Sequence, residues 1–266
     1  MASPLFRWAG SKRKVLPLLA SYWTPRFKRY IEPFAGSAAL FFMLAPQRAV
    51  LGDINRHLIE AYEVIRDRPD DVHKAVSKLP RSESRYYQVR SSAPLTPFGR
   101  AVRFVYLNRN CFNGIYRTNS RGVFNVPYAH DDPGSIPPIE GFRRCALLLQ
   151  KARLRCLEFG RLLSIVRAGD FVYLDPPYAV ESRRVFREYD SREFTRRDLT
   201  RLGEHLTSID ASGASFVISY ADCREARDLF EAWHVRRILV RRHIAGFVSA
   251  RRSAFELLAT NITPTR

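Results

Sequence analysis

Phe171-Val172-Tyr173-Leu174-Asp175-Pro176-Pro177-Tyr178 decides the fold: four residues apolar on both faces run into a carboxylate and two prolines. A strand with no polar face needs cover on both sides, which is how strands of a helix-flanked, mainly parallel sheet read. Similar short β-rich runs stand at 30–32, 49–51, 154–157, 215–219, 235–240 and 254–259. Between 154 and 240 they alternate with stretches that read as helices. The connection 241–253 has no helical period, so the last two runs are expected to pair as an antiparallel hairpin. The expectation is an α/β fold built on a Rossmann-like, seven-stranded sheet.

The strand signal lapses between about residues 55 and 153. Asn55 has the chemistry of an N-cap, and Leu58, Ile59, Tyr62 and Ile65 behind it share one helix face. Helical patterning continues to Leu107, including 98–107. Arg117-Thr118-Asn119-Ser120-Arg121-Gly122-Val123-Phe124 then reads as a hairpin with Gly122 in its turn. Pro133, Pro137 and Pro138 precede a further helix expected at 141–151. Within 100–161 there are 11 basic and four acidic residues, a net charge of +7. A mainly helical unit at 57–159, carrying a basic β-hairpin, is therefore expected to interrupt a sheet domain made of 1–56 and 160–266.

Composition narrows the partner. The 266 residues are 46% hydrophobic and 12% aromatic, enough for a large core and incompatible with global disorder. Forty-four basic residues against 26 acidic ones give a net charge of +18, and only six of the basic residues are lysine. Arginine preference is accounted for by codon usage as well as by function; the excess of charge is not. Residues 1–29 hold seven basic residues and no acidic one, and 236–252 hold six and none. Such a field favours a polyanion, with nucleic acid ahead of an anionic membrane surface. No apolar run approaches the roughly 20 residues of a membrane helix, and the N-terminal residues lack signal-peptide features, so a cytoplasmic protein is expected. Cys111, Cys145, Cys156 and Cys223 form no CxxC pair, and no two of the six histidines have metal-ligand spacing. Neither a redox dithiol nor a metal centre is expected.

Two motifs carry chemistry. Tyr30-Ile31-Glu32-Pro33-Phe34-Ala35-Gly36-Ser37 is a short strand entering a small-residue turn and then an apolar helix. Such a turn lets a ligand approach the backbone at the carboxyl edge of the sheet. Asp53 ends the next strand 17 residues beyond Gly36, close to the spacing of about 20 at which an acid grips a ribose hydroxyl pair. An ordinary helix cap is the alternative role for Asp53. The second motif is Asp175–Tyr178, where the prolines fix two φ angles and contribute no N–H. A carboxylate, proline carbonyls and an aromatic plane then face a planar heterocycle bearing an amino group. Asp175 and a proline carbonyl are placed to accept both amine protons while Tyr178 stacks on the ring. Accepting them draws the delocalised lone pair back to nitrogen, where it can attack an electrophile.

At these residues the chain resembles the Dam-type (D12 class) DNA adenine methyltransferases. The resemblance runs from Phe6 to about residue 260, with the motifs in the family's order. Phe6-Arg7-Trp8-Ala9-Gly10-Ser11-Lys12 is similar to its N-terminal cofactor loop, Glu32-Pro33-Phe34-Ala35-Gly36 to its Gly-rich turn, and Asp53-Ile54-Asn55 to its ribose-binding acid. Tyr106-Leu107-Asn108-Arg109, Phe112-Asn113-Gly114 and Arg121-Gly122-Val123-Phe124-Asn125-Val126-Pro127 resemble its DNA-recognition region, and Phe186, Tyr189, Phe194 and Thr195 fall at its spacing beyond the active site. The resemblance implies the cofactor S-adenosyl-L-methionine, leaving as S-adenosyl-L-homocysteine, with Trp8, Lys12, Glu32, Phe34, Gly36, Asp53 and Asp175 around it. It also implies direct methyl transfer to the exocyclic amine of an adenine flipped out of duplex DNA, with Asp175, Pro176, Pro177 and Tyr178 as the catalytic motif. Ser11 and Ala38 stand where the family usually has glycine, and an altered cofactor affinity is expected from both.

The same resemblance assigns Arg109, Phe112, Asn113, Ile115, Arg117, Asn119, Asn125 and Pro127 to DNA. Arg117 stands three residues after Asn113-Gly114, the family position that contacts the guanine preceding the target adenine. Ile115 and Pro127 match apolar positions facing the second half of a GATC site. A site containing GA is therefore expected. Trp8 would serve equally in a core, Lys12 as a surface charge, and Arg117 as a phosphate contact. Methylation of cytosine or RNA, and a catalytically silent DNA-binding relative, are the alternative functions. A cognate restriction endonuclease is a candidate second partner, and a monomer is expected.

Overall fold

The computed structural model describes residues 3–8, 10, 12, 14–119, 121–130, 133–178, 194–241 and 253–263. Among them, seven strands form one sheet: β1 Tyr30–Glu32, β2 Ala49–Asp53, β3 Ala152–Cys156, β4 Phe171–Leu174, β5 Ser215–Ala221, β6 His234–Arg241 and β7 Ser253–Thr260, in the order β3-β2-β1-β4-β5-β7-β6. The first five are mutually parallel, with Ile31 opposite both Val50 and Val172. β7 runs antiparallel to both neighbours, so the expected terminal hairpin is present. The fold is the mixed α/β arrangement expected from the sequence, and no described helix is long and apolar enough to cross a membrane.

Strand bounds differ where burial was misjudged. β3 begins at Ala152, two residues before the expected start, because it is an edge strand with Arg153 and Arg155 exposed. An edge strand shows no two-sided apolar run to mark its limits. β4, by contrast, is buried throughout, as its four apolar residues require.

The chain order leaves a switch point between β1 and β4. From β1 it proceeds outward through β2 to β3, and from β4 through β5 in the opposite direction. In open α/β sheets the crevice at such a point, beyond the strands' carboxyl ends, is where ligands bind. Both chemical motifs leave the sheet there.

α1 Leu16–Ala20 precedes β1 and α2 Ala39–Leu44 follows it; the helices between β2 and β3 are α3 Arg56–Asp67, α4 Pro69–Ser77, α5 Glu83–Ser91, α6 Pro97–Asn110 and α7 Ile139–Leu149. Asn55 caps α3, its side-chain oxygen accepting from the N–H groups of His57 and Leu58. That leaves Asp53 outside the cap. α3 and α7 lie against β2 and β3, and Phe6, Tyr62, Phe104, Tyr106 and Phe142 share one hydrophobic cluster with Tyr30 and Phe171 of the sheet. The opposite face is covered by α8 Phe159–Leu163, α9 Arg196–Ala211 and α10 Arg224–Phe230. The hairpin expected at 117–124 is reduced to a single bridge between Thr118 and Phe124, with Gly122 at φ 74. α7 starts two residues before its expected position, directly after Pro137-Pro138.

Candidate active site

Asp175 follows the last residue of β4, at the switch point. Its Oδ1 accepts from the Ser219 hydroxyl of β5 at 3.0 Å and lies 2.9 Å from Lys12 Nζ. Lys12 also donates to the Tyr178 hydroxyl at 3.0 Å and to the Gly10 carbonyl at 3.2 Å. Burial by itself lowers an ammonium pKa. Here the carboxylates of Asp175 and then Glu256 outweigh it, and Lys12 is held above its usual value. Lys12 is therefore a buried cation within the site, and the surface-charge alternative is set aside. Tyr178 packs edge-on against Tyr220, with ring centroids 5.0 Å apart.

The Gly36 turn forms the other wall. Asp53 Oδ2 accepts from the Gly36 N–H at 3.0 Å and its Oδ1 from the Asn55 N–H at 2.9 Å. Tyr62 of α3 donates to the Gly36 carbonyl at 2.8 Å. Gly36 has φ +46, and a Cβ built there would lie 2.8 Å from Cδ1 and Nε1 of Trp8. The indole thus rests on the bare backbone of the turn and stacks on Tyr116, nearly parallel at 6.2 Å. Trp8 joins the turn to the region expected to read DNA. Gly36→Ala combines a left-handed alanine, about 1–2 kcal/mol, with displacement of Trp8. It should lower unfolding free energy in urea by at least about 1 kcal/mol and weaken S-adenosyl-L-homocysteine binding in calorimetry; unchanged values in both would show that this contact is incidental.

Ala38 also adopts a left-handed conformation, φ 49, at the start of α2 Ala39–Leu44. The resemblance expects glycine there, and this geometry explains why. Alanine costs about 1–2 kcal/mol in that region, offset in part by a buried methyl worth about 0.8 kcal/mol.

Glu32, at the end of β1, is buried and accepts from Tyr30 Oη at 3.0 Å. Burial pushes its carboxyl well above the usual range, the Tyr30 bond opposes this, and the charges of Asp175 and Asp53 raise it further. Phe34 packs on Phe159 and Phe194, at 5.5 and 6.3 Å. Thr195 caps α9. Phe186, Tyr189, Ser11 and the arginines from 242 to 252 lie outside the described residues.

The residues assigned to DNA separate into two groups. Arg109 and Ile115 are buried, and Arg109 donates to the Leu5 carbonyl. Phe112, Asn113, Asn119 and Pro127 are exposed, and Arg117 and Asn125 are half-buried. Asn113 and Gly114 both have positive φ, and Asn119 Oδ1 accepts from the N–H groups of Arg121 and Val123. Arg117 Nε donates to Asn125 Oδ1 at 2.9 Å. Both side chains therefore act as one unit across the turn.

Four side chains were not assigned to the site from the sequence: Ser219, Tyr220, Glu256 and Tyr62, the last read only as part of a helix face. Glu256 did leave a signal, an acidic residue in the middle of the apolar run 254–259. A charge on the buried side of a strand needs a partner, and Lys12 is 3.6 Å away.

The family model for D12 class N6 adenine-specific DNA methyltransferase matches residues 8–244. The chain is 30% identical over 269 residues to the type II methyltransferase M1.LlaDCHI of Lactococcus lactis subsp. cremoris, covering 97% of this chain and 95% of that protein. It is 28% identical over 284 residues to the type II methyltransferase M.MjaIII of Methanocaldococcus jannaschii, covering 97% and 98%. To the DNA adenine methylase of Escherichia coli strain K12 it is 31% identical over 260 residues, covering 95% and 93%.

Proposed function

From its place in the D12 class N6 adenine-specific DNA methyltransferase family, to which this chain belongs, we infer how its own residues carry out adenine methylation. The observation that carries the reading is Asp175. It stands at the switch point on a proline-stiffened loop, bonded to Ser219 and Lys12, with Tyr178 three residues on and tied to the same lysine. Asp175 and the Pro176 carbonyl accept hydrogen bonds from the adenine amine, Asp175 takes the one proton that the nitrogen loses on methylation, Pro177 fixes the loop, and Tyr178 stacks on the flipped base. Burial of Cys111 and Cys145, which pushes both thiols up to about 12, suits a reaction that uses no thiolate nucleophile.

The wall opposite fits S-adenosyl-L-methionine by the chemistry of its donors. Asp53 suits ribose hydroxyls, the exposed backbone of Gly36 suits close approach, and Trp8 and Phe34 supply apolar planes. Lys12 and Asp175 offer opposite charges to an amino-acid group, and Glu32 supports the strand end from which the turn springs. The cofactor, when bound, supplies an electrophilic methyl group.

Duplex DNA is contacted by the unit 57–159, which rests on the sheet through α3 and α7. Phe112, Asn113, Arg117, Asn125 and Pro127 are the proposed contacts, with Asn119 shaping the turn between them. Arg109 and Ile115 are reassigned to support, since both side chains are buried and the Arg109 guanidinium is directed at Leu5. The site read contains GA and is GATC or an extension of it. Mapping N6-methyladenine in DNA from methylase-deficient cells expressing the protein tests this: methylation at GA-containing sites is expected, and a consensus without guanine before the adenine would contradict it. The type II relatives motivate a cognate restriction endonuclease as a second partner.

A further inference from the structure

Lys12 Nζ has four polar neighbours. Its protons go to Asp175, the Tyr178 hydroxyl and the Gly10 carbonyl, at 2.9, 3.0 and 3.2 Å. Glu256 Oε2 stands at 3.6 Å, close enough for an ion pair but beyond hydrogen-bond distance. Glu256 is 3% exposed and comes from β7, in register with Ala221 at the end of β5. The inverted strand thus brings a second buried carboxylate to a cation that already has one.

The groups that adenine methylation requires for the base are the ones that Lys12 engages. Lys12 and Ser219 converge on the same oxygen of Asp175, and Tyr178 is tied to the same ammonium. That leaves Oδ2 of Asp175 to face the amine, its direction set by where Lys12 and Ser219 hold Oδ1. A second carboxylate on the buried ammonium then fixes where Lys12 itself stands.

We propose that Glu256 is a positioning residue, the second carboxylate that holds Lys12, and through it Asp175 and Tyr178, in place for the target amine. This rests on the role given to Asp175 above. Lys12 lies between the two carboxylates, 2.9 Å from Asp175 and 3.6 Å from Glu256. Glu256 acts through Lys12 and does not touch the base.

The test is a double-mutant cycle on the full-length protein, with Glu256→Gln, Lys12→Met and the double variant. Thermal melting without ligand reads the pairing. Glu256→Gln should lower Tm more in the wild-type background than in the Lys12→Met background, where its ion pair with Lys12 is already gone. An equal shift in both backgrounds would overturn the pairing. Single-turnover methyl transfer to duplex DNA, with S-adenosyl-L-methionine as donor and the active fraction titrated, reads the function. Glu256→Gln should slow transfer at least tenfold with KM for DNA within twofold of wild type, and Glu256→Asp should recover part of the loss. A Glu256→Gln rate within twofold of wild type would overturn the positioning role. If the wild-type protein itself transferred no methyl group, the role of Asp175 and this proposal would fall together, while the melting cycle would still report the ion pair.

Discussion

Asp175→Ala should slow methyl transfer by about 10²–10⁴-fold, the range that a positioned proton acceptor contributes, with DNA affinity close to wild type. The loss follows from geometry. Asp175 is fixed by Ser219 on one side and Lys12 on the other, and the two prolines after it prevent the loop from offering a substitute. The fold should survive because Lys12 keeps Glu256 as a carboxylate partner at 3.6 Å. Single-turnover rates and a melting curve decide the matter. A variant keeping more than about a tenth of the wild-type rate, against that expected range, would show that the amine is activated elsewhere. A variant that failed to fold would show that Asp175 is mainly a structural anchor.

Arg117→Ala should remove roughly 1–3 kcal/mol of discrimination at the guanine preceding the target adenine. The guanidinium fork matches the two acceptors that guanine presents in the major groove. In the structure its Nε is already committed to Asn125 Oδ1, which fixes the plane of the fork before DNA arrives. Asn125→Ala should therefore lose part of the same discrimination, although Asn125 itself need not touch the base. Competition binding with GATC duplexes and with duplexes altered at the guanine gives the answer. If affinity fell alike for every sequence, Arg117 would be a phosphate contact and the reading of the site would be wrong.

Legibility followed locality. The strand–carboxylate–proline run at 171–178 was readable because its stereochemistry is set by adjacent residues: apolar on both faces, then fixed φ, then a carboxylate at the edge. Asn55 was readable as a cap for the same reason, and its capping bonds release Asp53 to hold the Gly36 turn. The rest of the site comes from distant strands. Ser219 and Glu256 reach Asp175 and Lys12 only because β5 and β7 lie side by side in the sheet. Single-sequence reading supplies strands but not their neighbours. Arg109 and Ile115 show the converse. Their positions matched a recognition motif, yet spacing alone does not report burial; both are buried, and Arg109 is turned to the Leu5 carbonyl of the N-terminal segment. Arg7 N–H donates to the Asn108 side chain, and Asn108 donates back to the Arg7 carbonyl, at 2.9 and 2.7 Å. That segment carries Trp8 and Lys12, so the same hydrogen bonds join the proposed cofactor wall to the region proposed to read DNA.

The amine brought to Asp175 is proposed to be that of adenine in duplex DNA. Incubating the purified protein with methyl-labelled S-adenosyl-L-methionine and unmethylated duplex DNA, then digesting the product to nucleosides, decides this. Label is expected in N6-methyldeoxyadenosine and should be lost with Asp175→Ala. Label in N4-methyldeoxycytidine, or transfer to RNA in preference to the duplex, would contradict it.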